Sequence, residues 1–356
     1  MTCPLNNAIL PLIGRAKNER EREREKERRH KHHLVPAGLY DFLLRLPKFI
    51  RLNYGRKKRE ANIVRLAREI KPVIDKYAAT DYAPPSPPSI PKIVWALWYD
   101  DANMPEVVAC CLERMRAELP ERGYELHILD KTTISDYIDM SDIMPSLESG
   151  EIFLQAFSDI LRMRLLWRYG GFWLDSTIAL LDPAALDRMV SSVSFISLQI
   201  NKPGNAQHRT AWSSFFWGSA PGNPLFAYTA EAFAFYLNKH RKMMVYSQLD
   251  CTIHAGYRHI SFIKALIDNL PDYSQGTPAA HHALFRLRSE PYELQTYEEI
   301  AAKWPIQKLP RRKEYQKSII TPDGECETYY GHIASDWLME STRIFAKPSG
   351  NLKTYI

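Results

Sequence analysis

The sequence predicts an α/β fold with a largely parallel sheet, preceded by a basic, helical extension. Three observations lead there. From residue 93 onward, short apolar runs of strand length alternate with helix-length runs, the order that places helices on the faces of a parallel sheet. The stretch APPSPPSIP, residues 83–91, separates that alternation from what precedes it, and its prolines favour a stiff, extended connection. Charge divides at the same place: residues 1–89 carry 20 Lys and Arg against 10 Asp and Glu, whereas the remainder has 27 against 31. The expected organisation is therefore an extension over 1–82, a linker over 83–91 and one folded domain over 92–356.

Within the extension, RAKNEREREREKERRHKHH (15–33) has no apolar residue beyond Ala16 and reads as a solvated helix or a disordered run. Leu39, Phe42, Leu43, Leu46, Phe49 and Ile50 then share one helical face, with Arg45, Lys48 and Arg51 opposite and a basic cluster at 56–59 beyond. Pro47 would kink a continuous helix there. A basic amphipathic segment of this kind suits an anionic membrane surface, or packs on the main body. A helix over 61–77 follows. In the body, IVWALWY (93–99) is a buried strand, and Pro105 opens a helix running to Leu119. YELHIL (124–129) is a second strand, with a helix beginning at Thr132. Leu154, Phe157, Leu161 and Leu165 have the spacing of a helix over 154–169. Phe172–Asp175 is a strand, 183–189 a short helix, and 193–200 and 215–218 strands. Helices over 223–239 and 250–269 follow, and the tail from about 270 is read as irregular, with 329–335 folding back.

Composition narrows the function. Five scattered cysteines without a C-x-x-C pair argue against a disulfide framework or a zinc cluster and for a reducing compartment. No apolar run is long enough to span a bilayer, and AILPLIG near the start is too short for a secretory signal. The chain is expected in the cytoplasm, or peripherally on the cytoplasmic face of a membrane. The acidic body argues against a nucleic-acid partner, whose enzymes carry basic surface on the folded part.

The chemistry concentrates in SDILRMRLLWRYGGFWLDST, residues 158–177. Gly170 and Gly171 end the helix in a tight turn, and the strand behind them stops on Asp175. Ligands of open α/β sheets gather at strand carboxyl ends; the plainer role for Asp175 is to begin a turn. Asp159 and Arg162 lie one helical turn apart. Alone they make a surface ion pair of little weight. Beside Ser158 and ahead of Asp175, they form a set able to hold sugar hydroxyls, phosphate oxygens and a divalent cation. Those are the parts needed for a nucleoside diphosphate sugar. Asp250 opens a helix as its N-cap or faces a site, and His254 one turn on shares that choice. Trp212 and Trp217 read as core.

This stretch resembles the DXD-type sugar transferases, and most closely the bacterial capsular polysaccharide synthesis glycosyltransferases. IPKIVWALWYD (90–100), the run from Pro105 through YELHILDKTTISDYI, and WSSFFWGSAPGNPLF (212–226) add to the likeness, which covers roughly 90–270. The resemblance implies a GT-A fold and a retaining transfer of a hexosyl group from a nucleotide-sugar donor to a glycan or lipid-linked saccharide. It implies donor contacts from Trp98, Asp130, Ser158, Asp159, Arg162 and Gly171, and catalytic roles for Asp175, Arg162 and Asp250. It also implies a divalent cofactor, Mn2+ or Mg2+, on Asp175, the first acid of the motif. Here the third motif position is Thr177 rather than Asp, a weak cation ligand, and His332 is the candidate to complete the set. The competing reading is a catalytically degenerate transferase fold that binds a nucleotide sugar or a partner.

Overall fold

The computed structural model describes residues 48–82, 89–100, 104–190, 193–198, 212–271 and 280–345. Most of the linker and the apolar face at 39–46 lie outside these residues. Helices α1 (Lys48–Glu69) and α2 (Lys71–Ala78) come first, then β1 (Ile93–Leu97), α3 (Glu106–Glu118) and β2 (Glu125–Leu129). Single-turn helices at Ile134–Tyr137 and Met144–Glu148 lead to α4 (Leu154–Tyr169), β3 (Gly171–Leu174), β4 (Ile178–Leu180) and α5 (Ala184–Val190). Then follow β5 (Phe195–Ser197), β6 (Phe216–Ser219), α6 (Pro224–His240), α7 (Gln248–His259) and α8 (Ser261–Asp268). The last part holds α9 (Leu294–Lys303), β7 (Ile306–Lys308), β8 (Ser318–Thr321), β9 (Gly324–Glu327) and α10 (Tyr329–Phe345).

The central sheet has the order β2-β1-β3-β6-β5. β1 pairs in parallel with β2 and β3, while β6 runs against both β3 and β5. The sheet is thus mostly parallel in direction, with β6 the reversed strand. Both faces are covered, which is why the strands read as unbroken apolar runs. Trp95, Trp173 and Trp217 turn to one face, among apolar residues of α4, α6 and α7. Val94, Ala96, Phe172, Leu174 and Phe216 turn to the other, among those of α3 and α10.

The N-terminal side of the linker shares the first of these cores. Ile63, Leu66, Ala67, Ile70, Val73 and Ile74 are buried in the same cluster as Phe226, Phe233 and Ile253. Their helical spacing was present in the sequence, but the basic composition around them suggested an appendage. One helix expected over 61–77 breaks at Ile70, ahead of Pro72, which cannot donate within a helix interior. The helix expected from Thr132 is a single turn, and that over 250–269 is interrupted at Ile260. The largest departure is the tail, where a strand, a hairpin and three helices, the first a short one over Ala283–Leu287, replace an irregular run. Its α10 packs on α3, where Tyr330 donates to Glu106 at 2.8 Å and Trp337 is buried. Among the described residues, no helix is long and apolar enough to cross a membrane.

Gly170 and Gly171 join α4 to β3 at φ of 66° and 86°, in the region that side chains disfavour. At Gly171 there is also no room: a Cβ would stand 2.5 Å from the Ile93 carbonyl oxygen on β1. Gly171→Ala should therefore destabilise the fold by more than about 1–3 kcal/mol, read from the midpoint of urea unfolding; an unchanged midpoint would refute this reading of the turn.

Candidate functional site

β1 and β3 are parallel and end on the same side of the sheet, and a cleft opens there. Its volume is about 720 Å³. The end of β1 contributes Trp98, α4 contributes Ser158, Asp159 and Arg162, the turn after β3 contributes Asp175 and Thr177, and α7 contributes Asp250. The end of β7 closes the ring with Lys308, Arg311 and Arg312. Seven residues named from sequence therefore meet in one cavity: Trp98, Ser158, Asp159, Arg162, Asp175, Thr177 and Asp250.

Arg162 is the hub. Its side chain is 5% exposed, and that of Asp159 is 4% exposed, so both are buried as thoroughly as the apolar residues of α4, while Ser158 beside them is half-buried. The guanidinium lies 3.2 Å from Asp159 Oδ1 and 3.5 Å from Asp175 Oδ1. It donates to the Ser158 carbonyl at 3.2 Å, to Ser158 Oγ at 3.1 Å, and to the Ser214 carbonyl. Beneath it lies the Trp173 ring, 4.9 Å from Cζ, a cation–π contact of the desolvated kind. Trp173 and Asp175 share a side of the strand at i and i+2, and the indole Nε1 donates to Asp175 Oδ1 at 3.0 Å.

The second carboxylate oxygen of Asp175 accepts from Lys308 Nζ at 2.7 Å, and the same ammonium lies 2.7 Å from Thr177 Oγ1. Lys308 arrives there because β7 pairs antiparallel with β4, placing it opposite Ile178. Burial would raise Asp175, but Lys308 and then Arg162 outweigh it and hold the carboxyl down at about 2. Asp159 goes the other way. Burial raises it to about 7, Arg162 opposes the rise, and Asp250 and Asp175 add to it. Asp250 is also raised by burial, opposed first by Arg59 of α1. It is not the N-cap of α7, which is Ser247; its carboxylate accepts from Trp212 Nε1 at 3.2 Å. Trp212 and Trp217 are core, as expected, and His254 packs its ring on Trp212 at 4.7 Å.

Three expected site residues lie elsewhere. Asp130 binds the turn after β2, accepting from the amides of Thr132 at 2.7 Å and Thr133 at 2.9 Å. Gly171 sits at the far end of β3 from Asp175, against Ile93. His332 stacks on Tyr292 at 3.8 Å and faces Glu327 at 3.6 Å on α10's side of the sheet. None of the three lines the cleft. Lys308 was missed because its tail was read as irregular. The available signal was IQK between Pro305 and Pro310, a short strand bracketed by residues that stop one.

The residues around Asp175 do not fit a divalent cation. Of the expected ligands, Asp175 and Thr177 offer one carboxylate and one hydroxyl, and both already bind the same ammonium. Among the described residues, no group of three His, Cys, Asp or Glu is arranged to hold a metal.

The sequence profile of the family described as "Capsular polysaccharide synthesis protein" matches residues 47–333. It therefore reaches well beyond 90–270, taking in α1, α2 and the strand that carries Lys308. The O-glycosyltransferase braB of Annulohypoxylon truncatum is 32% identical over 96 residues, which take in 24% of this chain and 22% of that protein. The alignment thus spans under a quarter of that relative's length. The solved structure titled "PaToxG Glycosyltransferase" covers 72% of this chain and 96% of its own, at 15% identity and a TM-score of 0.36, a likeness too slight to assign the fold.

The raised Asp159 carries a pH signature. Between its ordinary 3.8 and about 7, the folded state keeps a proton that the unfolded chain has released. Stability must fall across that window and level off above it. Asp175, held low, works in reverse: its contribution is present above 3.8 and lost as pH falls toward about 2. Asp159→Asn should flatten the decline in urea midpoint from pH ~4 to ~7. An offset from wild type that stays constant over that range would contradict the assignment.

Proposed function

The chain belongs to the capsular polysaccharide synthesis protein family, and from that premise we propose that it is a glycosyltransferase of GT-A type. It moves a hexosyl group from a nucleoside diphosphate sugar to a glycan or lipid-linked saccharide, with retention at the anomeric carbon. The observation that carries this reading is the convergence of Arg162, Lys308, Arg311 and Arg312 with Asp159 and Asp175 on one cleft. Cations there suit a diphosphate, carboxylates suit sugar hydroxyls, and the cavity is within the usual range for a small-molecule site.

The rim, where Arg311 lies over the Trp98 ring at 5.8 Å, receives the nucleotide. Ser158 and Asp159 hold hydroxyls of the transferred sugar at the floor. Asp250, across the cleft on α7, faces the acceptor. As the glycosidic bond to phosphate breaks, negative charge grows on the leaving diphosphate. Fixed cations in a partly dry cleft stabilise that charge without reorganising. Binding also presents the acceptor hydroxyl to the anomeric carbon. Retention is met by attack from the face that the diphosphate leaves, with a phosphate oxygen taking the proton.

Asp175 binds both Lys308 and Arg162, so its loss should disorder the cationic set while the sheet stays intact. Asp175→Ala should lose on the order of a hundredfold or more in release of nucleoside diphosphate from its nucleotide sugar, with far-ultraviolet circular dichroism unchanged. Full turnover by this variant would remove the centre of the proposal. A wild type that binds the nucleotide sugar and releases no diphosphate would be a binding protein instead.

The basic N-terminal residues 1–60 suit a second partner, the anionic surface of the membrane that would carry a lipid-linked acceptor. Deleting residues 1–47, which leaves the buried face of α1 in place, should abolish sedimentation with phosphatidylserine-containing vesicles. Equal sedimentation of the truncated and full-length proteins would refute it.

A further inference from the structure

We propose that Lys308 is the cation of this site: its ammonium, fixed by Asp175 and Thr177, receives the donor diphosphate in place of a divalent metal. The inference rests on the nucleotide-sugar reading above and deepens it.

The geometry is that of a built position. Lys308 Nζ lies 2.7 Å from Asp175 Oδ2 and 2.7 Å from Thr177 Oγ1. The backbone clamps the same place, since the Leu309 amide donates to the Thr177 carbonyl at 3.0 Å and the Leu181 amide to that of Pro305 at 2.8 Å. Gln307 anchors the strand from behind: it is fully buried, donates to the Trp304 carbonyl at 2.8 Å and accepts from the Leu284 amide at 3.0 Å. An ammonium has three N–H donors. Asp175 and Thr177 take two among the described residues, and the head group lies on the cleft wall, so the third can serve a ligand.

The charge count explains Thr177. Asp175, shared between Lys308 and Arg162, orients the ammonium, and one anion between two cations leaves those three groups with net positive charge, as a diphosphate requires. An Asp at 177 would cancel that charge. A divalent ion on the same two oxygens would stand within a few ångström of the ammonium, where like charges in a partly buried cleft repel strongly. The cation and the metal are therefore alternatives, and the chain has built the cation. A lysine suits the task as a compact point charge for phosphate.

The test is calorimetric titration of the full chain with UDP, GDP, ADP and CDP, in EDTA and in millimolar MnCl2 or MgCl2. Wild type should bind its nucleotide in EDTA, with Kd altered less than about threefold by metal. Lys308→Met should weaken binding by about tenfold or more, the scale of a charge-assisted contact, and metal should not restore it. Lys308→Arg should retain most of the affinity. Wild-type binding that needs metal would overturn the inference and leave the nucleotide-sugar reading standing; so would a folded Lys308→Met that binds like wild type. Failure of every nucleotide to bind in either condition would sink the nucleotide-sugar reading, and this inference with it. The metal arm uses wild type alone, so it decides the matter even if a variant fails to fold.

Discussion

A guanidinium buried among carboxylates is the constraint on which the rest of this cleft depends. Arg162 is largely withdrawn from water where it lies, so the protein supplies most of its partners. It does so with two acids, two seryl groups and a tryptophan face. Removing one member of such a set leaves a buried charge uncompensated, at a cost of about 3–5 kcal/mol. The penalty ties together elements distant in sequence: α4 supplies the arginine, β3 its stacking ring, and Ser214 before β6 an acceptor. The need to neutralise Arg162 adds to the register that the β3–β6 pairing and the two buried faces already specify.

From that hub, the two acids are driven to opposite states. Asp159 has one cation and two acidic neighbours, so burial prevails and its proton is retained. Asp175 has two cations, so it stays ionised. The division puts a hydrogen-bond donor at the floor of the cleft and an orienting anion on its wall, from identical chemical groups. Below about pH 7, where Asp159 holds its proton, Asp175 alone of the two offsets Arg162 and Lys308.

Much of this was legible in the sequence, and the reason is local. Helix α4, the glycine turn and β3 form one contiguous stretch whose periodicity and punctuation announce their geometry, so Ser158, Asp159, Arg162 and Asp175 could be grouped before any coordinates. Asp250 was legible only as a question, since a helix-opening acid serves equally as a cap. What escaped was non-local. Lys308 reaches the site through a three-residue strand pairing with β4, too short to show a period. His332 was selected by chemistry without knowledge of which side of the sheet α10 occupies. Asp130 was selected for its strand end, where local Thr132 and Thr133 amides claimed it. The basic composition around α1 masked a helical stripe that belongs to the central core.

Lys308 lies 133 residues downstream of its carboxylate partner. A ribosome adding about 5–20 residues per second therefore makes Asp175 roughly 7–27 seconds before its lysine, and the two leave the exit tunnel with the same delay. Through that interval the nascent sheet can already pair β1 with β2 and β3, yet the cleft wall remains open and Asp175 has only Arg162 beside it. Completion of the cleft is in this sense a late event of translation, and it waits on the same C-terminal segment whose α10 covers the face of the sheet that carries Phe172 and Phe216.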